Sequence, residues 1–177
     1  MSPQCFEVPP LSRAQIREIA RQVRGTLAWT EPWFPVTQYL ELYSCIDGEF
    51  VYDIREADEM GDNHGITFPD QKLMLLREDV YEGAVDGNGR DRLTVAHEFG
   101  HLHMHHSLGM ARKFEQSDIP AFINSEWQAN CFGGELLVSA DHVHLCGDPW
   151  DAAQLFGVSL EAAELQWRKF RQDGLVA

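Results

Sequence analysis

The sequence is poor in basic residues. Against 28 Asp and Glu there are only 14 Lys and Arg, which gives a formal net charge of −14. A surface this acidic repels DNA and anionic membranes, whereas it tolerates cationic or neutral partners. We therefore expect no direct nucleic-acid binding and no membrane association.

Several other signals are missing. The N-terminal stretch MSPQCFEVPPLS has no charged segment followed by an apolar run, so it does not resemble a secretory signal. No apolar stretch approaches the roughly 20 residues that span a bilayer. None of the four cysteines stands in a CxxC motif (Cys5, Cys45, Cys131, Cys146). We expect reduced thiols and a cytoplasmic protein. Since no repeat or linker divides the 177 residues, we also expect a single domain over residues 1–177.

The hydrophobic periodicity is mainly helical. Apolar residues recur at helical spacing in several segments, and short extended runs lie between them. The predicted helices are 12–27, a shorter one after Pro35, 91–107, 124–139, and a C-terminal pair at about 149–172 that is broken at Gly157. The predicted strands are 49–54, 65–68 and 72–78, and we interpret residues 55–65 and 82–91 as loops. Arginines recur along one face of the first helix, which indicates either a solvated face or a docking surface.

Histidines are concentrated in one stretch. Five of the eight lie in TVAHEFGHLHMHH, residues 94–106. Because successive helical residues rotate by about 100°, His97 and His101 share one face, and His105 roughly continues it. His103 and His106 point away from that face. Helix geometry alone therefore separates His97, His101 and, roughly, His105 from the other two histidines.

The pair forms an HExxH motif, which is typical of zinc sites carried on a helix. Two neutral imidazoles on adjacent turns can both reach one tetrahedral zinc ion. Glu98, next to the first histidine, can take a proton from a water molecule that zinc activates. The spacing therefore predicts zinc ligation by His97 and His101, with Glu98 as the catalytic base.

A catalytic zinc ion needs a third protein ligand. The metzincin pattern is excluded, because Met104 and Ser107 occupy its glycine and last histidine positions. His105 is a local alternative, although three ligands at this spacing converge poorly on one ion. The segment EWQAN offers Glu126, with Asn130 on the same face as a possible acceptor for a ligand histidine. From spacing alone, Glu126 is either this ligand or an ordinary surface glutamate.

Peptide hydrolysis also needs a group that stabilises the developing oxyanion, and a His or Tyr often supplies it beside the metal. His142, His144 and Tyr81 are the candidates in this sequence. The competing interpretation is that they are surface polar residues, and the sequence does not choose between the two.

Three segments together resemble the ImmA/IrrE family of bacterial metallopeptidases. They are RLTVAHEFGHLHMHH, EWQANCFGGELLVS and LFGVSLEAAELQWRKF. The resemblance implies zinc binding by His97, His101 and Glu126, with Glu98 as general base. It also implies a protein substrate, a helix-turn-helix transcription regulator that the peptidase cleaves. Because the chain ends soon after the third segment, it looks like the short ImmA type.

We therefore predict an α+β fold, a mainly helical zincin-like domain with a small β-sheet beside the HExxH helix. The predicted function is that of a zinc-dependent endopeptidase of restricted specificity. The alternative is a zinc-containing binding module, an anti-repressor or toxin–antitoxin component that acts by contact without proteolysis. Glu98 favours the peptidase, since a structural zinc site needs no base there.

Overall fold

Helices dominate the computed structural model, which describes residues 5–106, 113–114 and 120–176. The α-helices in these ranges are α1 (Arg13–Thr26), α2 (Val36–Ile46), α3 (Ala57–Met60), α4 (Glu78–Val85), α5 (Gly89–Met104), α6 (Ser125–Leu137), α7 (Pro149–Phe156) and α8 (Leu160–Gln172). The strands are β1 (Cys5–Phe6), β2 (Val51–Arg55), β3 (Gly65–Phe68), β4 (Leu73–Arg77) and β5 (Lys113–Phe114). The predicted α+β class, mainly helical with a small sheet, is confirmed.

The three predicted strands form one sheet in the order β2-β4-β3. β2 runs parallel to β4, whereas β3 pairs with β4 in the antiparallel sense. β3 is therefore an edge strand, and it lies against α5, as expected for a sheet beside the histidine helix. A second, two-residue pairing of β1 with β5 was not predicted.

The loop predicted at 82–91 is wrong in its first part. Helix α4 runs through Val85 and buries Val80 and Ala84, one turn apart, against the core. Gly83 and Gly87 make the segment look like a loop, but burial of this apolar pair outweighs the low helix propensity of glycine. The loop predicted at 55–65 likewise contains one helical turn, α3.

Helix α1 begins as predicted, with Ser12 accepting a hydrogen bond from the backbone of Gln15. Its arginine stripe is a solvated face only in part, because Arg21 is exposed whereas Arg24 is buried. Arg17 binds Glu135 of α6 at 2.7 Å, and the next arginine of the stripe, Arg21, binds Asp141 at 2.6 Å. The stripe therefore attaches α1 to α6 and the segment that follows it.

Helices α5 and α6 pack backbone to backbone. A Cβ at Gly100 would lie 2.9 Å from the Cα of Ala129, and a Cβ at Gly133 would lie 3.3 Å from the nitrogen of His97. Side chains at these two glycines would hold the helices apart. The close approach places one face of α6 directly against the histidine face of α5.

The C-terminal helices α7 and α8 match the predicted pair. Gly157, with a φ of 63°, ends α7, and Ser159 caps the start of α8 by accepting from Ala162. Buried apolar residues from α1 to α8 form one core cluster around α5 and α6. None of the helices in the described ranges is long and apolar enough to cross a membrane.

Candidate metal centre

Three side chains from α5 and α6 meet at one point. The Nε2 atoms of His97 and His101 are 3.0 Å apart. The Glu126 carboxylate lies 3.4 Å from the first of these nitrogens and 3.2 Å from the second. These three residues form the group in the described chain whose ligand atoms lie close enough together to hold a metal ion.

The distances between these atoms suit a small tetrahedral ion. Zinc binds imidazole nitrogen and carboxylate oxygen at about 2.0–2.1 Å, so ligand atoms around a tetrahedral zinc lie about 3.3 Å apart. The observed separations of 3.0–3.4 Å agree with that value. Two nitrogens and one oxygen leave a fourth position for water or substrate, as a catalytic site requires.

The electrostatics of the group favour a cation. Burial alone would raise the pKa of Glu126, but hydrogen bonds to His101 and His97 lower it to about 2. Burial lowers the pKa of His97, yet the hydrogen bond to Glu126 and the charges of Glu98 and Glu126 outweigh it and raise that pKa. The carboxylate is therefore ionised at neutral pH, and the site concentrates negative charge.

Glu98 is buried beside the group and is held by the edge strand β3. The Thr67 hydroxyl donates to Glu98 Oε2 at 2.7 Å. A Cβ at Gly65 would lie 2.7 Å from Glu98 Cγ, so only glycine leaves room for the glutamate here. Sequence analysis missed Thr67 and Gly65. The strand GITF was recognised, but its register relative to α5 cannot be derived from periodicity.

Asn130 lies where the helical spacing places it, on the same face of α6 as Glu126. Its Oδ1 accepts a hydrogen bond from Nδ1 of His97 at 3.1 Å. With a proton on this nitrogen, the neutral His97 ring has a free electron pair on Nε2, which faces the other two members of the group.

His105 is not part of the three-residue group. Its Nδ1 lies 3.0 Å from Nδ1 of His101, on the side of that ring away from Glu126. Its Nε2 lies 3.1 Å from Gln128 Oε1. The alternative in which His105 is the third ligand therefore disagrees with the structure, because Glu126 is the residue that faces both histidines. Gln128 is a further residue that sequence analysis missed.

The oxyanion candidates have other partners. The Tyr81 hydroxyl donates to Glu41 of α2, and His142 Nε2 donates to the carbonyl of Thr30. His144 is exposed on a short 3₁₀ turn. The structure brings none of the three into the group, and their role in oxyanion stabilisation stays a prediction.

Comparison with known families is consistent with this geometry. Residues 51–168 match the family model of the IrrE N-terminal-like domain, a peptidase family, and the match includes all three members of the group. A search of curated proteins finds no significant match. The matched range covers more than half of the 177 residues and confirms the resemblance to ImmA/IrrE proteins. The chain thus belongs to the IrrE N-terminal-like domain family and is a metallopeptidase of that family.

Proposed function

We propose that the protein is a zinc-dependent endopeptidase of restricted specificity. His97, His101 and Glu126 would bind the zinc ion in a gluzincin-like arrangement, and Glu98 would be the general base. The observation that carries the proposal is the convergence of three ligand atoms at 3.0–3.4 Å beside a buried glutamate.

Zinc, when bound, lowers the pKa of a water molecule and polarises a peptide carbonyl. The side chains of the protein carry out the proton transfers. Glu98 accepts the proton of the attacking water and then delivers it to the nitrogen of the leaving amine. Thr67 donates to Glu98 Oε2, which orients the carboxylate and leaves Oε1 to carry the proton. Fixing the base in this way removes a conformational search from the reaction.

The proposed substrate is a cytoplasmic regulatory protein, specifically a helix-turn-helix transcription regulator. Two observations support it. The chain belongs to a peptidase family whose ImmA/IrrE members it resembles, and its net charge of −14 favours a cationic or neutral partner over DNA itself. DNA-binding regulators carry basic surfaces of this complementary kind.

The test is intact mass spectrometry of the regulator encoded nearest the gene. It is co-expressed with the wild type, with Glu98→Gln, and with Glu161→Gln as a matched control at an exposed position of α8. We expect a single cut with the wild type and the control. Glu98→Gln should retain zinc and reduce the cleavage rate about 10²–10⁴-fold.

Two outcomes would contradict the proposal. Cleavage at the wild-type rate by Glu98→Gln would remove Glu98 from the mechanism. An uncut regulator that co-purifies with both the wild type and Glu98→Gln would favour the binding module that acts by contact.

A further inference from the structure

A buried chain of hydrogen bonds lies behind His101. Its Nδ1 lies 3.0 Å from Nδ1 of His105, whose Nε2 lies 3.1 Å from Gln128 Oε1. Gln128 Nε2 donates in turn to the backbone carbonyls of Pro9, at 2.9 Å, and Phe122, at 2.8 Å. His105 and Gln128 are 2% and 0% exposed, so these bonds have no competition from water.

The backbone fixes the direction of every bond in this chain. Carbonyl oxygens only accept, so the amide nitrogen of Gln128 must face Pro9 and Phe122, and its Oε1 must face His105. An amide oxygen also only accepts, so the Nε2 of His105 carries a proton. A neutral imidazole has one proton, and the Nδ1 of His105 is therefore an acceptor.

The hydrogen bond between His105 and His101 determines the tautomer of the His101 ring. Since Nδ1 of His105 accepts, Nδ1 of His101 must donate, and in the neutral His101 ring Nε2 is left with a free electron pair. We propose that Gln128 and His105 are positioning residues that hold His101 in the Nδ1–H tautomer, so that its Nε2 is ready to bind a metal ion. The identity of that ion as zinc rests on the proposed function, whereas the tautomer itself does not.

The rings of the two ligand histidines are thus held by hydrogen bonds to different partners. His97 donates to the exposed Asn130, which is a single partner open to solvent. His101 is held by the buried chain of His105 and Gln128, which ends on the segment before α1 and on the 3₁₀ turn before α6. Together the two arrangements direct the Nε2 atoms of both neutral rings and one carboxylate toward the same point, where they repel one another unless a proton or a metal ion lies between them.

The first test needs no variant and no metal. Long-range ¹H–¹⁵N correlation spectra of the metal-free protein, with ¹⁵N-labelled histidine, report which ring nitrogen carries the proton. We expect the proton on Nδ1 of His101 and on Nε2 of His105. A neutral His101 ring whose only proton is on Nε2, in the folded wild type, would overturn the proposal, whatever the zinc affinity.

The second test uses a matched pair of substitutions on α5 and its end. His105→Phe removes the acceptor, and we expect His101 to lose its Nδ1–H preference and zinc to bind about 10–100-fold more weakly. The control is His103→Phe. This partly buried histidine bonds to Tyr39 and stacks on Phe99, so the tautomer of His101 and the zinc affinity should not change.

An unchanged tautomer in His105→Phe, or equal weakening in His103→Phe, would reduce His105 to a packing residue. Failure of the proposed function is a separate result. If the wild type shows the expected tautomers but binds no zinc, the chain of hydrogen bonds is supported and the zinc site is refuted.

Discussion

Glu98, the proposed base, lies on α5, but the hydroxyl that contacts its carboxylate comes from a different element, β3. Thr67 donates to Oε2 of Glu98 at 2.7 Å, and the same hydroxyl lies 3.2 Å from the backbone oxygen of that residue. A hydrogen bond to a charged group contributes about 1.5–3 kcal/mol. Loss of this bond frees the carboxylate without touching the three metal-facing residues.

Thr67→Val should therefore lower the cleavage rate about 10–100-fold, the equivalent of that bond energy, and leave zinc affinity unchanged. The measurement is the turnover of the cleaved regulator together with a zinc titration. Thr67→Ser keeps the hydroxyl and should keep most of the activity. Equal loss in both variants would mean that Thr67 acts through packing of β3 instead of through its hydroxyl.

Sequence analysis found single residues only where helical periodicity fixes their direction. His97 and His101 share a face because they are four residues apart, and Glu126 and Asn130 do so for the same reason. Thr67 and Gln128 were missed because their roles depend on how strands and turns pack in three dimensions. Tyr81 and His142 were named without a tertiary position, and both have partners elsewhere.

At the scale of elements, the interface between α1 and α6 contains a buried ion pair. The Glu135 side chain is fully buried and the Arg17 side chain is partly buried, with a bidentate contact at 2.7 and 3.1 Å. Burial alone would lower the pKa of Arg17, but its bonds to Glu135 and Asp173 raise it. The pair holds α1 against the helix that carries Glu126.

Arg17→Met should destabilise the fold by about 3–5 kcal/mol, because it leaves a buried carboxylate without its partner. Arg21→Met is the comparison, since its pair with Asp141 is about half exposed on both sides and should be worth less than about 1 kcal/mol. Urea unfolding of the two variants measures the difference. Similar midpoints would show that Glu135 finds another partner or becomes protonated.

The elements themselves were predicted with unequal success. α1 and the C-terminal pair carry amphipathic patterns with recognisable caps, whereas α5 and α6 are marked by their HExxH and EWQAN motifs; all of their predicted bounds lie within a few residues of the observed ones. α4 was not predicted, because Gly83 and Gly87 are typical of a loop. The pairing of β1 with β5 joins residues more than 100 positions apart, which no local pattern can reveal.

At the scale of the whole molecule, we propose that residues 1–177 form one cooperative unit, although the family match begins only at residue 51. α1 and α2 precede that point, yet Ile16 and Leu40 are fully buried in the common core. The candidate metal group is built from α5 and α6, which contribute buried residues to this core. Binding there should stabilise the entire chain.

We expect a single thermal transition, which zinc moves upward. At a free zinc concentration of 100 Kd the gain is about 2.7 kcal/mol, and for a chain of this size that corresponds to about 5–10 °C. Differential scanning calorimetry with and without chelator measures it, and Glu126→Ala should abolish most of the shift. Two separate transitions, with only one responding to zinc, would show that the chain contains a second independent unit.

The contact between Pro9 and Gln128 joins residues 119 positions apart. The ribosome synthesises a chain from its N-terminus at about 5–20 residues per second, so roughly 6–24 s pass between the synthesis of these two residues. During that interval the first segment has no partner, and the apolar face of α1 is uncovered. A nascent chain that stops before α6 therefore contains His97 and His101 but lacks Glu126, so its three-residue group is incomplete. The fold itself thus delays assembly of the three-residue group until most of the protein has been made.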